Sequence, residues 1–262
     1  MERKVITSRH NQTISHLKQL VNGTKYRSKH HQTILDGIHL ADAYLRAGET
    51  PWMVVVGTGS LAHAEVRAVL DRLDPEYEVI EVPDSLYEWV SPLTNGVALL
   101  MVIDLPEVKR ELVIEGDTLL LDGVQDPGNV GTILRTAAAA GVKDVYLSAG
   151  AASVWSPKAL RAGMGAQFGL TVFEDVDLAS VIKDSTVPVY ATSLEGSSSL
   201  YGKDLSGAGA WLFGNEGAGV SPELLRLCQD NLILIPQTPG VESLNVAAAA
   251  AVCLFEQRRQ RL

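Results

Sequence analysis

Residues 118–141 read TLLLDGVQDPGNVGTILRTAAAAG. Thr118–Leu121 is apolar on both faces, as a strand covered by helices on either side must be. Asp126-Pro127-Gly128 is turn chemistry, and Val130 to Ala140 is a run of helix formers. A strand, a turn and a helix therefore follow one another, and the same unit recurs to the end of the chain. Further strands are predicted at Val145–Leu147, Leu170–Phe173, Pro188–Ala191, Ala210–Phe213 and Leu232–Ile235. Helices are predicted near Pro157–Met164, Leu178–Lys183, Pro222–Cys228 and Leu244–Arg259. That alternation is the signature of a mostly parallel α/β sheet.

Upstream the pattern is different. Ile14, Leu17, Leu20 and Val21 follow a helical period that Asn22-Gly23 stops, and Ile34 to Leu45 repeats it. Short strands at Met53–Val56, Val79–Val82 and Val97–Ile103, with a helix over Leu61–Leu73, make a small α/β unit. Asp104-Leu105-Pro106 is a hinge, because proline interrupts either kind of element. Two domains are expected, 1–105 and 106–262.

The chain has 262 residues, of which 46% are hydrophobic and 20% charged, the balance of a water-soluble globular protein. The longest run of small apolar residues, Val246 to Phe255, is too short to span a membrane. The opening MERKVITSRHNQ has no apolar core of a secretory signal. Cys228 and Cys253 form neither a disulfide framework nor a metal-ligand spacing, and read as buried thiols in a reducing cytoplasm. The net charge of −9 speaks against a uniformly basic, nucleic-acid-binding surface. Yet residues 1–31 carry Arg3, Lys4, Arg9, Lys18, Lys25, Arg27 and Lys29, with His10, His16, His30 and His31, against Glu2 alone. Phosphate contacts need local cations rather than a basic whole, although a solvated amphipathic helix explains the same charges.

In open parallel sheets ligands bind beyond the carboxyl ends of the strands. Three turns there are rich in polar residues and glycine: 122–141, FGNEGAGVSPELL (213–225) and IPQTPGVESLNVAAAAA (235–251). Asn129 reads either as the N-cap of its helix or as a site residue. Arg135, on an otherwise apolar helix, reads as a surface ion-pair partner or as a phosphate ligand. Gly214, Gly217 and Gly219 let backbone amides approach a ligand, and Glu216 is the lone acid among them. Their spacing is not the dinucleotide fingerprint G-x-G-x-x-G. Ser243 reads as an N-cap or as part of a pocket with Leu244 and Asn245.

Taken together, the order and spacing of these turns resemble the SpoU/TrmH family of the SPOUT methyltransferase superfamily. The first motif is matched by Asn129, Gly131 and Arg135. The second is matched by Gly214, Asn215, Glu216, Gly217 and Gly219 with Ser221, and the third by Glu242, Ser243, Leu244, Asn245 and Val246. The stretch Ser8–Leu20, Lys25-Tyr26-Arg27 and Ile34–Leu45 look like the small α/β, ribosomal-protein-like RNA-binding domain that precedes many members. Two departures stand out: Asp36-Gly37 where the family more often has Glu-Gly, and Pro239-Gly240, which shifts a glycine by one place.

The resemblance implies a C-terminal trefoil knot near 190–256, a homodimer, and an S-adenosylmethionine-dependent RNA ribose 2′-O-methyltransferase without a metal. The cofactor would be held by Thr192, Ser193, Gly214, Asn215, Glu216, Gly217, Ile233, Ile235, Ser243, Leu244 and Asn245. Catalysis would fall to Asn129, Arg135, Glu216, Ser243 and Asn245, with Glu216 holding the arginine or the loop. Arg9, Lys18, Lys25, Arg27 and Lys29 would bind RNA. Large-subunit ribosomal RNA is the expected substrate. Transfer RNA, or a non-catalytic role in RNA binding or ribosome assembly, are the alternatives.

Overall fold

Parallel strands need long crossovers, and the chain supplies a helix for nearly every one. The computed structural model describes residues 2–91, 96–108, 111–196, 198–238, 240 and 242–262. It opens with β1 (Arg3–Val5), α1 (Gln12–Asn22), α2 (Thr24–His30), β2 (Gln32–Asp36) and α3 (Ile38–Arg46). Then come β3 (Met53–Gly57), α4 (Ala64–Leu70), β4 (Val79–Val82), α5 (Asp84–Val90) and β5 (Leu99–Asp104). The rest runs β6 (Thr118–Leu121), α6 (Pro127–Ala140), β7 (Asp144–Leu147), α7 (Pro157–Gly163), β8 (Thr171–Phe173) and α8 (Leu178–Lys183). It ends with β9 (Val189–Thr192), β10 (Ser198–Ser199), β11 (Ala210–Phe213), α9 (Pro222–Leu227), β12 (Leu232–Leu234) and α10 (Val246–Arg259).

The chain divides into two compact units, Met1–Glu107 with Trp155–Phe168, and Val108–Val154 with Gly169–Leu262. The excursion of Trp155–Phe168 into the first unit was not legible in the strand–helix alternation. It is held there by Thr33 Oγ1, which donates to Trp155 O (2.6 Å), and by Phe168, packed edge-on against Tyr44.

In the first unit the sheet order is β1-β4-β3-β5-β2, with β2 and β5 antiparallel to each other and β3 antiparallel to β5. The predicted helix Ile34–Leu45 is two elements. Every residue of Gln32–Asp36 is buried, a pattern a strand covered on both faces satisfies and an amphipathic helix does not. Gly37, at φ +100°, ends that strand and admits α3. Asp36 is buried and accepts from Tyr87 Oη (2.8 Å) and Ser91 Oγ (2.5 Å), tying β2 to the end of α5.

Arg27 requires a correction. It is 5% exposed. Its Nη1 donates to Leu20 O (2.8 Å) and Val21 O (3.2 Å), and its Nη2 to Thr24 Oγ1 (2.9 Å). A helix leaves its last carbonyls without partners, and Arg27 satisfies two of them at the end of α1. It is a structural cation, unavailable to phosphate.

The second sheet is wholly parallel, in the order β10-β12-β9-β11-β6-β7-β8. Leu120, Tyr146, Ala191 and Leu212 bury one face with Leu178, Val181 and Ile182 of α8 and Leu224 of α9. On β11 Trp211 donates from Nε1 to Gln257 Oε1 of α10 (2.8 Å), and α10 lies against α6, where Arg258 reaches Ala140 O (3.2 Å). Both cysteines are free and buried, and burial pushes the Cys228 thiol up to about 11.

Arg27→Ala leaves buried carbonyls unpaired and should lower the unfolding free energy by about 2 kcal/mol in urea titrations. Lys25→Ala, at an exposed site two residues earlier on the same helix, should shift it by no more than about 0.5 kcal/mol. Equal effects of the two would contradict the capping role.

Candidate active site

Because β6, β9, β11 and β12 are parallel neighbours, the turns that follow them emerge at one edge of the sheet. The turn after β6 is stitched to the turn after β11. Asp122 Oδ2 accepts from Ser221 N (2.8 Å) at the head of α9, and Asp122 Oδ1 accepts from Ser148 Oγ (3.2 Å). Asn215 Nδ2 donates to Gly123 O (2.8 Å), while its Oδ1 accepts from Gly217 N (2.9 Å) and Ala218 N (3.0 Å). Asn215 and Gly219 also exchange backbone hydrogen bonds, so the loop closes on itself. Only glycine fits at 214: a Cβ there would stand 2.1 Å from Gly219 C and from Val220 N.

Glu216 projects from this closed loop and accepts three hydrogen bonds. Its Oε2 takes Gln125 N (3.0 Å), and its Oε1 takes Asp126 N (3.0 Å) and Asn129 Nδ2 (3.0 Å). Partial burial works to raise its pKa, but the bonds from Asn129, Gln125 and Asp126 prevail and hold the carboxyl below its ordinary range. Asn129 Oδ1 in turn accepts from Asn245 Nδ2 (3.1 Å). A continuous line Asn245–Asn129–Glu216 thus crosses the three turns.

Of the two readings the sequence allows for Asn129 and Ser243, the capping one is not realised. Asp126, not Asn129, caps α6, accepting from Gly128 N (2.5 Å) and Asn129 N (3.4 Å). Asn245, not Ser243, caps α10, accepting from Ala247 N (2.9 Å) and Ala248 N (3.3 Å). Asn129 is thereby released for the site, and Ser243 is left exposed at its rim.

A cleft of about 830 Å³ opens beside this line. Thr192, Ser193, Gly214, Asn215, Glu216, Gly217, Ile233, Ile235, Ser243, Leu244 and Asn245 all line it. Sequence reasoning missed Gln237, which also lines it and whose buried Oε1 has no hydrogen-bond partner among the described residues. It also missed Asp122 and Gln125, which read as ordinary turn residues. Pro239 and Val241, and with Pro239 the shifted glycine motif, lie outside the described residues. Arg135 is exposed on α6, and among the described residues it makes no hydrogen bond or ion pair. Of the two expected roles of Glu216, holding the arginine or the loop, the bond to Arg135 is not made among the described residues, and its bonds go to the turn before α6 and to Asn129.

In the first unit Arg9 and Lys18 lie over the Trp89 ring, 5.7 and 5.0 Å from its centroid, and Lys18 also donates to Trp89 O. Lys25 and Lys29 are exposed on α2 with no ion pair among the described residues. Among the described residues no three His, Cys, Asp or Glu side chains are grouped to hold a metal ion, and no helix is long and apolar enough to cross a membrane.

The model of the SpoU rRNA Methylase family matches residues 117–255, which contain all three turns. The chain is 33% identical to the Bacillus subtilis protein named 23S rRNA (guanosine(2553)-2'-O)-methyltransferase RlmP, over 97% of this chain and 99% of that one. Among solved structures it is similar to an AdoMet-bound rRNA methyltransferase from Sinorhizobium meliloti, with 28% identity, a TM-score of 0.85 and 99% of each chain covered. It is likewise similar to an RNA 2'-O ribose methyltransferase, with 28% identity and a TM-score of 0.84 over 98% of this chain and 99% of that one.

The lowered pKa of Glu216 fixes the sign of a pH effect on this site. A carboxyl depressed on folding contributes stability above its unfolded value, near 4.3 for glutamate, and loses it as pH falls through the lower folded value. The Gln125 and Asp126 amide resonances should titrate with a midpoint below the ordinary glutamate value of about 4.3. Glu216→Gln, which offers one carbonyl oxygen to three donors, should speed hydrogen exchange at one or both amides. A midpoint at or above the ordinary glutamate value would contradict the assignment.

Proposed function

The chain belongs to the SpoU rRNA methylase family, and from that premise we propose that it transfers a methyl group from S-adenosylmethionine to a ribose 2′-hydroxyl of large-subunit ribosomal RNA. The observation that carries the reading is the Asn245–Asn129–Glu216 line beside a single cleft. A carrier of glycine-rich turns alone has no use for three polar side chains fixed to one another from three separate loops. The names of the B. subtilis and S. meliloti relatives point to the same substrate and cofactor.

The cleft suits the cofactor. Ile233 and Ile235 supply apolar wall, Gly214 and Gly217 line the cleft without side chains, and Gln237 Oε1, buried and without a partner among the described residues, is an acceptor that a ligand N–H would satisfy. The residues that would hold it are those the resemblance implies, Thr192 through Asn245 as named above, with Gln237 added. S-adenosylmethionine, when bound, supplies a methyl group already activated on a sulfonium sulfur.

The chain's own residues then do the positioning. Asn129 has both amide atoms engaged and keeps one N–H, which suits it to fix a ribose oxygen. Arg135 binds the neighbouring phosphate and stabilises negative charge developing on the 2′-oxygen, since a guanidinium stays protonated in proteins. Residues 1–105 serve as the RNA-binding domain through Arg9, Lys18, Lys25 and Lys29, and 106–262, apart from the Trp155–Phe168 stretch that packs in the first unit, as the catalytic domain. Residues 190–256 form the family's trefoil knot, a reading supported by β12 lying between β9 and β10 and by Gly196, whose Cβ would stand 2.6 Å from Leu234 N. The active form is a homodimer, in keeping with Phe255 of α10, which is 47% exposed.

Labelled S-adenosylmethionine with undermethylated total RNA should place label in large ribosomal RNA as a 2′-O-methyl nucleoside. Label in transfer RNA would redirect the substrate, and failure to bind the cofactor would end the enzyme reading. Arg135→Ala should slow turnover at least about a hundredfold while cofactor affinity stays within a few-fold. Loss of cofactor binding in that variant would overturn the role given to Arg135.

A further inference from the structure

Four aromatic side chains meet at the surface of the first unit. His16 makes edge contacts with Tyr26, His30 and Trp52 at centroid distances of 5.6, 5.4 and 5.8 Å. Tyr26 and His30 lie 4.1 Å apart, one turn from each other on α2. His16, His30 and Trp52, with Gln12, Thr13, Gln32 and Met53, border a recess of about 400 Å³, at the small end of the range of ligand sites, and Tyr26 backs it through His16 and His30.

The floor of the recess is fixed by a chain of hydrogen bonds whose direction can be deduced. Gln32 Nε2 donates to Asp104 Oδ1 (3.0 Å), so Gln32 Oε1 is turned to accept from His16 Nε2 (3.0 Å). His16 Nδ1 then has no proton and accepts from Tyr26 Oη (3.0 Å). Burial, with the nearby His30, outweighs the bond to Gln32 and lowers the His16 pKa, in keeping with a neutral ring. The rim, by contrast, is uncommitted. Trp52 is 53% exposed, His30 is exposed, and the side chains of Gln12 and Thr13 make no hydrogen bond among the described residues. Lys25 and Lys29, exposed and without an ion pair among the described residues, stand on α2 beside Tyr26 and His30.

A rigid aromatic floor, an exposed indole, idle hydrogen-bonding groups and flanking cations match the chemistry of an unpaired nucleobase and its phosphates. From this arrangement we propose that the recess between Trp52, His16 and His30 is a subsite for one unstacked base of single-stranded RNA. The base stacks on Trp52 and His30, Gln12 and Thr13 meet its edge, and Lys25 and Lys29 take the adjoining phosphates. The proposal rests on the reading of RNA as substrate and adds where an extruded base is held.

The test uses the full chain and two probes of equal length, a fluorescein-labelled oligoadenylate and an abasic ribose-phosphate oligomer. The wild type should bind the oligoadenylate about tenfold more tightly than the abasic chain. Trp52→Ala should erase that difference while leaving abasic affinity unchanged, and Trp52→Phe should restore part of it. Lys25→Ala with Lys29→Ala should weaken both probes and flatten the salt dependence. A base preference that survives Trp52→Ala, or is absent from the wild type, overturns the subsite. The methyl-transfer assay separates this from the enzyme reading. Trp52→Ala should raise KM for RNA with kcat unchanged. A wild type that methylates RNA with no base preference in binding sinks the subsite alone; one that shows the preference but methylates nothing sinks the enzyme reading alone.

Discussion

The second half of the molecule hangs on how Glu216 spends its charge. The residue extends from a loop that Asn215 and Gly219 have already closed, so it arrives at a fixed place. Its two oxygens then receive the amides of Gln125 and Asp126 and the side chain of Asn129. Those amides belong to the turn that opens α6, whose own first N–H groups are taken by Asp126. One carboxylate therefore sets the start of a helix, the rotamer of an asparagine and, through Asn245, the start of α10. Hydrogen bonds from neutral donors to an ionised acceptor are roughly twice as strong as those between neutral groups, which suits such a junction. The sheet makes the junction reachable, because only parallel neighbours bring the turns after β6, β11 and β12 to one edge.

Much of this was legible in the sequence, for identifiable reasons. The strands Thr118–Leu121 and Ala210–Phe213 and the helix Leu178–Lys183 have the bounds that apolar runs and turn signals predicted. Buried parallel strands have no solvent face to break the run, so their ends are marked by polarity alone. Asn129, Glu216 and Asn245, named from the motifs of the three turns, are joined by hydrogen bonds, whereas Arg135 makes none among the described residues. The sequence left Asn129 and Ser243 open between cap and site, and the caps fall instead on Asp126 and Asn245, a few residues away. Pro127 carried the missing signal: proline is favoured at the first helical position, which makes the residue before it the cap.

What stayed illegible has a common cause, which is that long-range packing overrode local pattern. α2, with the sequence TKYRSKH, has no apolar stripe, and the side chain it buries is an arginine. Nothing nearby in sequence announces that Arg27 turns inward to the carbonyls of α1, since the same residue fits a solvated basic helix equally well. Ile34 and Leu35 continue a helical period into Leu45, yet pairing with β5 draws them into a strand. The aromatic recess was equally hidden, because His16, Gln32 and Trp52 come together only when α1, β2 and the start of β3 are assembled.

These arrangements also bear on the conflict between a net charge of −9 and the polyanionic partner proposed above. Cations serve phosphate only where they are exposed and not already neutralised. Arg27 fails the first condition, and Arg9 and Lys18 are partly engaged by Trp89. Lys25 and Lys29 meet both, on a short helix with no acid in its first turn. In the other unit Glu216 accepts from two backbone amides and the Asn129 side chain, and makes no ion pair with Arg135 among the described residues. An ion pair between them would have stabilised the loop as well, but would have neutralised the guanidinium. Meeting the carboxylate with neutral N–H groups instead keeps the loop fixed and leaves the guanidinium without an ion pair among the described residues, as the role proposed for Arg135 requires.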